Sequence, residues 1–366
     1  MQRNNRLYLD IHAIQSVPSS CINRDDTGSP KTAIYGGVLR SRVSSQSWKR
    51  AIRLMFQDVL PQEKLGIRTK RIVEMVAGEI TKIDGSLESL KLAERILKNA
   101  GLDIKSVEKG TDALFFLSRS QAQALARLVV EYPEMANNTV NRGSKEKIQQ
   151  ALKQSPAIDV ALFGRMVADE PSLNTDASAQ IAHSISTHKV VTEYDYFTAV
   201  DDWPNDEHAG AGHIGTTEFN SSTMYRYATV ALHQLKEQLA EDTVEAAVQF
   251  VRAFVCSMPT GKQNSFANRT LPDAVLVTLR QDQPINLVGA FEKPVPASDE
   301  GYVGPSAKRL VQHADKVYKY FAGKPVLSLT VGDLLQELGE PMPLNHVLDQ
   351  LKNALPSFLE AGGSVA

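Results

Sequence analysis

The sequence predicts an α+β protein whose element order is compatible with a ferredoxin-like βαββαβ unit split by insertions. Three observations predict it. A run at strand period near the start leads into the clearest helical period in the chain. From about residue 61 to 156 the charge rises, and helical segments separated by Gly, Asn and Pro read as a helical insertion. Beyond it, strand-like runs return, interleaved with further helices.

Leu7, Leu9, Ile11 and Ala13 alternate with Tyr8, Asp10, His12 and Ile14, the pattern of a half-buried strand. A loop with Pro18, Gly28 and Pro30 follows. Gly36-Gly37 marks a turn into a short strand around Val38–Val43, where Arg40 and Arg42 share a face. Trp48, Ala51, Ile52, Met55, Phe56 and Val59 then repeat at helical spacing, with Gln46, Lys49, Arg50, Arg53 and Gln57 on the opposite stripe. Ser44 or Ser45 is the natural N-cap. In the insertion, 71–80, 87–100, 119–131 and 144–154 read as helices. Residues 159–166 (DVALFGRM) read as a buried strand, and Ile181, His183, Ile185 and Thr187 lie at strand spacing. Runs 193–200 and 218–230 flank a stretch rich in Gly, Asp and His, as the arms of a long hairpin with a projecting tip. Residues 241–256 form a helix with Val244, Ala247, Val248, Val251 and Val255 as its apolar face. A strand at 274–279 and helices around 305–321 and 344–354 complete the order, and the tail 362–366 reads as loose.

Bulk composition narrows the function classes. The chain has 366 residues, 42% hydrophobic and 22% charged, an ordinary globular balance with enough length for a large core. Cys21 and Cys256 offer neither metal spacing nor a disulfide framework. No run approaches the roughly 18 apolar residues of a membrane span. The start, MQRNNRLYLD, has no apolar signal region, so a cytoplasmic location without membrane contact is expected. A net charge of −2 argues against indiscriminate coating of nucleic acid, so a nucleic-acid contact has to be a local patch.

Such a patch exists. Residues 21–53 hold seven cations, Arg24, Lys31, Arg40, Arg42, Lys49, Arg50 and Arg53, against two anions, Asp25 and Asp26. This local +5 lies among glycines and hydroxyls on a loop, a short strand and a helix start, which suits a run of phosphates. The polar helix stripe begins at a helix N-terminus, where free N–H groups and the dipole already favour an anion.

The same residues carry a resemblance. Ser20-Cys21-Ile22-Asn23-Arg24-Asp25-Asp26, Lys31, Ala33-Ile34-Tyr35-Gly36-Gly37 and Arg42-Val43-Ser44-Ser45-Gln46-Ser47-Trp48-Lys49-Arg50-Ala51 closely resemble the CasC family, the backbone subunits of type I-E CRISPR Cascade complexes. Further blocks follow in family order: Gly164-Arg165-Met166, IAHSISTH at 181–188, DYFTAVDD at 195–202, HIGTTEF at 213–219, YRYA at 225–228 and Gly261-Lys262-Gln263. The match is weakest in the helical insertion and after about residue 300.

The resemblance implies a hand-shaped subunit. A modified ferredoxin-like (RRM-like) palm would comprise 1–60, 157–192 and 218–366, a helical fingers insertion 61–156, and a thumb hairpin 193–217. Copies, six in the family's complex, stack head to tail along the guide RNA (crRNA), kink it at intervals and present it for pairing with target DNA. The implied partners are a crRNA endoribonuclease, a cap subunit, a large PAM-reading subunit and a small belly subunit. No cofactor, metal or catalytic residue is implied.

A guide-holding filament must grip the backbone without reading sequence, which cations, hydroxyls and N–H groups do. Arg24, Lys31, Ser44, Gln46, Lys49 and Arg53 match the family's RNA-contacting positions, and Arg40, Arg42, Lys262 and Gln263 join them as candidates. Lys49 and Arg53, at i and i+4, repel slightly unless an anion lies between them; the bland alternative is a solvated helix face. His208, His213 and Ile214 at the hairpin tip are candidates for the wedge that unstacks bases, with Met166 opposing. The alternatives are surface for His213 and core for Met166.

Competing chemistry finds less footing. The GKQ stretch lacks the phosphate-loop pattern, and the aromatic RRM signature is absent. His183 and His188 point to opposite faces of a strand and make a poor metal pair. One rival reading is a metal-dependent RNase related to type III backbone subunits, using Asp25 or Asp26, each of which otherwise serves as a turn acid. Another is a free-standing single-stranded RNA chaperone without a filament.

Overall fold

The computed structural model describes residues 6–106, 108–199 and 213–361. The chain opens with β1 (Tyr8–Ser20), a hairpin of β2 (Thr32–Tyr35) and β3 (Val38–Val43), and α1 (Ser45–Val59). Then come β4 (Gly66–Thr69), α2 (Ile72–Ile83), α3 (Ser89–Asn99), β5 (Ile104–Ser106), β6 (Gly110–Thr111), β7 (Phe115–Ser118), α4 (Arg119–Glu131), α5 (Arg142–Lys153) and α6 (Ile158–Phe163). Next, β8 (Ala179–Ile181), β9 (Ser184–Ser186), β10 (Glu193–Ala199) and the long β11 (His213–Ala231) precede α7 (Leu232–Leu239), α8 (Thr243–Cys256) and one-turn α9 (Gln263–Phe266). The order ends with β12 (Ala274–Arg280), α10 (Val303–Tyr320), β13 (Leu327–Val331), β14 (Glu340–Met342) and α11 (Leu344–Ala361). This is a mixed α+β architecture. It divides into two compact units, one of Met1–Met55, Ile181–Thr229 and Phe250–Ala366, the other of Phe56–Gln180 and Val230–Gln249.

The first unit is built on a sheet whose path runs β14-β13-β12-β1-β11-β9-β3-β2, with β8 and β10 as further partners of β11. β1 pairs antiparallel with β12, Ile11 opposite Val277, and β3 pairs antiparallel with β9, Arg42 opposite Ile185. Gly36 and Gly37 join β2 to β3 with φ of 59° and 76°, the left-handed pair that a two-residue hairpin turn requires. At Gly36 a Cβ would fall 1.6 Å from the Glu292 carbonyl oxygen, so no other residue fits there.

The sequence predicts a half-buried β1, but the strand is covered on both faces. Leu9, Ile11 and Ala13 are buried on one face, and Asp10, His12 and Ile14 on the other. Alternation failed as a guide because the polar face is satisfied internally rather than by water. The Tyr227 hydroxyl donates to Asp10 at 3.0 Å, the Ile285 N–H donates to Asp10 at 2.9 Å, and His12 Nδ1 lies 2.8 Å from the Tyr225 hydroxyl. Ile14, Tyr225, Tyr227, Leu276, Phe291, Leu310 and Val311 form the apolar core of this side. Arg226, between the two tyrosines, points the other way, its guanidinium 3.7 Å from the Trp48 ring centroid and 4.4 Å from that of Phe254. α10 and α1 therefore lie on opposite faces of the sheet.

Burial pushes the Asp10 carboxyl up to about 6, against downward pulls from Thr229, Ile285 and Tyr227. Burial lowers His12 to about 3, and Arg280 adds to the lowering. The two have opposite linkage. For His12 the unfolded chain takes the proton first, so stability falls as pH drops below about 6.5. For Asp10 the folded chain takes it first, so stability rises as pH drops from about 6 to about 4. Asp10→Asn removes only the second effect. Between pH 6.5 and 4, the wild type gains roughly 3 kcal/mol on this variant, from about two pKa units at 1.36 kcal/mol each. Urea denaturation across that range measures it, and parallel pH profiles would show Asp10 to be unperturbed.

The second unit is mainly helical. Ile72, Val76, Ile80, Ile96, Leu97, Leu125, Val129, Ile148 and Leu152 interlock as the apolar faces of α2–α5. α4 starts at a capping box, with Ser118 accepting from the Gln121 N–H and Gln121 reaching back to the Ser118 N–H. Asn141 caps α5 through the Ser144 N–H at 2.9 Å. Residues 159–166, expected as a strand, instead hold the helix α6. An apolar run this short fits either element. Gly164, at φ 76° and with no room for a Cβ beside the Thr175 carbonyl, ends the helix. Lys64 pairs with Asp242 at 2.9 Å and also with Glu245.

Candidate nucleic-acid interface

The basic segment folds as three joined pieces. In the loop, Asp25 Oδ1 accepts from the Thr27 N–H at 3.0 Å, the Thr27 hydroxyl at 2.7 Å and the Ser29 N–H at 3.0 Å. The Thr27 hydroxyl bond leads the group of contacts that holds its carboxyl below the usual range. Asp25 is thus the organising acid of an Asx-type turn. Arg24 forms an isolated bridge with Pro30, and both Arg24 and Asp26 are exposed. The Lys31 N–H donates to the Asn23 carbonyl, the Arg42 N–H to the Lys31 carbonyl (2.9 Å each), and the Ser44 N–H to Asn23 Oδ1 at 2.8 Å. Loop, hairpin and helix start are therefore tied at Asn23.

Arg40 departs from expectation. It is fully buried, and its guanidinium donates to the carbonyls of Tyr35 (3.2 Å), Ser186 (2.9 Å), Phe291 (2.8 Å) and Glu292 (3.3 Å). Burial lowers its pKa. With every nitrogen committed inward, Arg40 cannot reach a guide and is removed from the candidate RNA contacts. Arg42, two residues on, is only half-buried. It donates from Nε to the Thr32 carbonyl at 3.1 Å, and its Nη1 lies 3.2 Å from His183 Nδ1.

The α1 N-terminus is the centre of the patch. Ser44 Oγ accepts from the Ser47 N–H at 3.3 Å, the capping role expected of it. The Ser45 N–H points to His183 Nδ1 at 3.3 Å. Both neighbours of that nitrogen, Ser45 N–H and Arg42 Nη1, can only donate, so Nδ1 is the acceptor and the ring hydrogen sits on Nε2. Burial, then the charges of Arg42 and Lys31, lower the His183 pKa and keep the ring neutral. The side chain is exposed, and its Nε2–H is a spare donor beside the helix N-terminus. From the sequence His183 reads as half of a poor metal pair; its place in IAHSISTH, beside a basic strand, is the usable signal. Farther along α1, Gln46 is exposed and Lys49 half-buried, with desolvation lowering the Lys49 pKa. Arg53 is half-buried one turn beyond Lys49.

Gly261-Lys262-Gln263 closes on this patch. A Cβ at Gly261 would fall 2.3 Å from the Ile22 carbonyl oxygen, so glycine lets the two backbones touch. Lys262, at φ 46°, donates to Thr217 Oγ1 at 3.2 Å, and Gln263 begins α9. Lys262 and Arg24 both act on the Cys21 thiol, whose pKa burial raises. β10 and β11 pair antiparallel, Glu193 opposite Phe219 through Ala199 opposite His213. Ile214 is 58% exposed; His208 and the side chain of His213 lie outside the described residues.

In the second unit, Gly164-Arg165-Met166 divides three tasks. Gly164 ends α6. Arg165 is buried and donates to the carbonyls of Phe116 (3.1 Å), Leu152 (3.0 Å) and Leu173 (3.0 Å), its pKa lowered by burial to about 10. Met166 is 83% exposed, so it is not core.

Fold and patch together define an α+β protein with a localised cationic face at a helix N-terminus. The chain belongs to the CT1975-like protein family, which matches residues 9–354. It is similar to a solved chain of a "CRISPR RNA-guided surveillance complex, pre-nicking", with 33% identity and a TM-score of 0.79, covering 95% of this chain and 99% of that one. It is also similar to a chain of a "CRISPR RNA-guided surveillance complex", with 30% identity and a TM-score of 0.62, over 95% and 99% of the two chains. Among curated proteins, none matches. Among the described residues, no helix is long and apolar enough to cross a membrane.

Proposed function

We propose that this chain is a non-catalytic, crRNA-binding backbone subunit of a CRISPR RNA-guided surveillance complex of type I-E, working in the cytoplasm. Copies polymerise along the guide and present it for pairing with target DNA, which leaves sequence recognition to the guide. The observation that carries this reading is the convergence of Arg24, Lys31, Arg42, Ser44, Lys49 and His183 around the N-terminus of α1. The similarity to chains of CRISPR RNA-guided surveillance complexes supports the complex, and the blocks resembling CasC support the subtype. The order β12-β1-β11-β9, with α1 and α8 as the crossing helices, supports a ferredoxin-like palm. The partners in this reading are the endoribonuclease, cap, PAM-reading and belly subunits. The turn role of Asp25 favours a scaffold over an RNase, because its Oδ1 already serves three loop donors.

Sedimentation with guide RNA tests the reading. Several copies per guide are expected, and a single bound copy would sink the filament. Arg24, Lys31, Lys49 and Arg53 together give a salt slope of roughly −2.8 per subunit, and Lys49→Ala flattens it by about 0.7. An unchanged slope would mean that Lys49 touches no phosphate. Complementary RNA with Mg²⁺, added to the same assembly, should stay intact; cleavage lost in Asp25→Ala or Asp26→Ala would make the protein an RNase.

A further inference from the structure

The one-turn helix α9 carries more backbone strain than its size explains. Its caps, Lys262 (φ 46°, ψ 26°) and Ala267 (φ 47°, ψ 39°), are both left-handed. They are two of the four non-glycine residues at positive φ among the described residues. A left-handed Lys or Ala persists where its surroundings over-determine it. Here the chain is pinned on both sides of the turn. Gly261 lies against the Ile22 carbonyl, closer than a Cβ would allow. Thr270 Oγ1 donates to the Ser16 carbonyl at 2.7 Å, and the Thr270 carbonyl accepts from Gln15 Nε2 at 2.9 Å. The turn is therefore clamped to β1 and to the start of the basic loop.

The clamped turn meets one face of the β10–β11 ribbon. Thr217 and Phe219, two apart on β11, share that face. Lys262 Nζ donates to Thr217 Oγ1 at 3.2 Å. The Phe266 ring lies 5.8 Å from the Phe219 ring, inclined at 44°. All four side chains are half-buried. One step outward on the same face is Gly215, where the ring of its cross-strand partner Phe197 fills the place of a Cβ. The ribbon needs such support. β10 is exposed from Glu193 to Ala199, and β11 is its partner strand among the described residues. A two-stranded ribbon alone is marginally stable in water.

We infer that Lys262 and Phe266 are positioning residues. From the clamped turn they hold the base of the β10–β11 ribbon beside the basic loop, and so fix where the ribbon stands relative to the guide. That last step rests on the guide-binding reading; the brace itself does not.

Amide hydrogen exchange on the free chain tests the brace. Lys262→Met, Thr217→Val and Phe266→Ala should each speed exchange across 193–199 and 214–219 by about tenfold. The amides paired between β1 and β12 should keep their rates. Lys262→Met combined with Thr217→Val should exchange no faster than either alone, because both remove the same bond. Lys262→Arg and Phe266→Tyr should keep the protection. Unchanged exchange in the three single variants, or additive effects in the pair, would overturn the brace. Titration with guide RNA tests the positioning. Lys262→Met and Thr217→Val should weaken binding by the same factor, about threefold to tenfold, with the salt slope unchanged. A slope flattened by about 0.7 in Lys262→Met alone would make Lys262 a phosphate contact. Faster exchange with unaltered affinity would reduce the pair to a fold contact. Either result overturns the positioning role. If the wild-type chain binds no guide, the guide-binding reading fails, and the exchange rates still decide the brace.

Discussion

Arg40→Met is expected to lower folding stability by at least about 3 kcal/mol, whereas Arg42→Met should cost within about 1 kcal/mol. Two residues apart on β3, the arginines look equivalent in sequence. Arg40 serves four backbone carbonyls inside the protein, and methionine fills the space without a donor. Each buried acceptor left unmade costs about 1–3 kcal/mol, so even partial relaxation leaves a large deficit. That is a large share of a typical total of about 5–15 kcal/mol. Arg42 is half-buried and keeps water as an alternative partner. Its loss should appear in guide affinity rather than in folding. Chemical denaturation of both variants, with guide titration of the survivor, separates the roles. Equal stability of the two variants would mean that the Arg40 cage is not a structural bond set.

The same pair marks where sequence reading ended. Period two correctly places Arg40 and Arg42 on one face of β3, but nothing local reveals that the turn at Phe291–Glu292 covers only the first. The α1 stripe and its serine cap were legible because helical period and capping are local rules, and α2–α5 for the same reason. The Gly36-Gly37 turn was legible because left-handed φ demands glycine. The asparagine that ties the patch together was not: Asn23 acts through Ser44, twenty-one residues away. Residues 159–166 were misread because a short apolar run has no period long enough to choose between strand and helix. β13 and β14 were missed because their pairing is set by β12, and only the tertiary fold supplies that neighbour. His183 was overlooked because its task depends on the two donors that meet its ring, Ser45 and Arg42, which lie far from it in sequence.

His183→Asn is expected to weaken guide binding about tenfold or more while leaving stability within about 1 kcal/mol. Asparagine Oδ1 can take the place of Nδ1 as acceptor for the Ser45 N–H and Arg42, but it removes the outward Nε2–H. A hydrogen bond to a charged oxygen contributes about 1.5–3 kcal/mol, which sets the scale of the loss. His183→Ala removes both functions, so it should reduce affinity and loosen the helix start. The pH profile separates this role from generic attraction. A solvated histidine near phosphates would strengthen binding as it charges below about pH 6.5. In His183 the added proton would have to sit on Nδ1, facing two donors. The folded pKa is lowered, so the unfolded chain protonates first and the stabilising contribution, complete above about 6.5, is lost as pH falls below it. Wild-type affinity should therefore show no rise on acidification, and His183→Asn should follow a parallel, weaker profile. An acid-side rise that disappears in His183→Asn would mean that the ring acts as a free cation, and equal affinity of the two proteins would remove it from the interface.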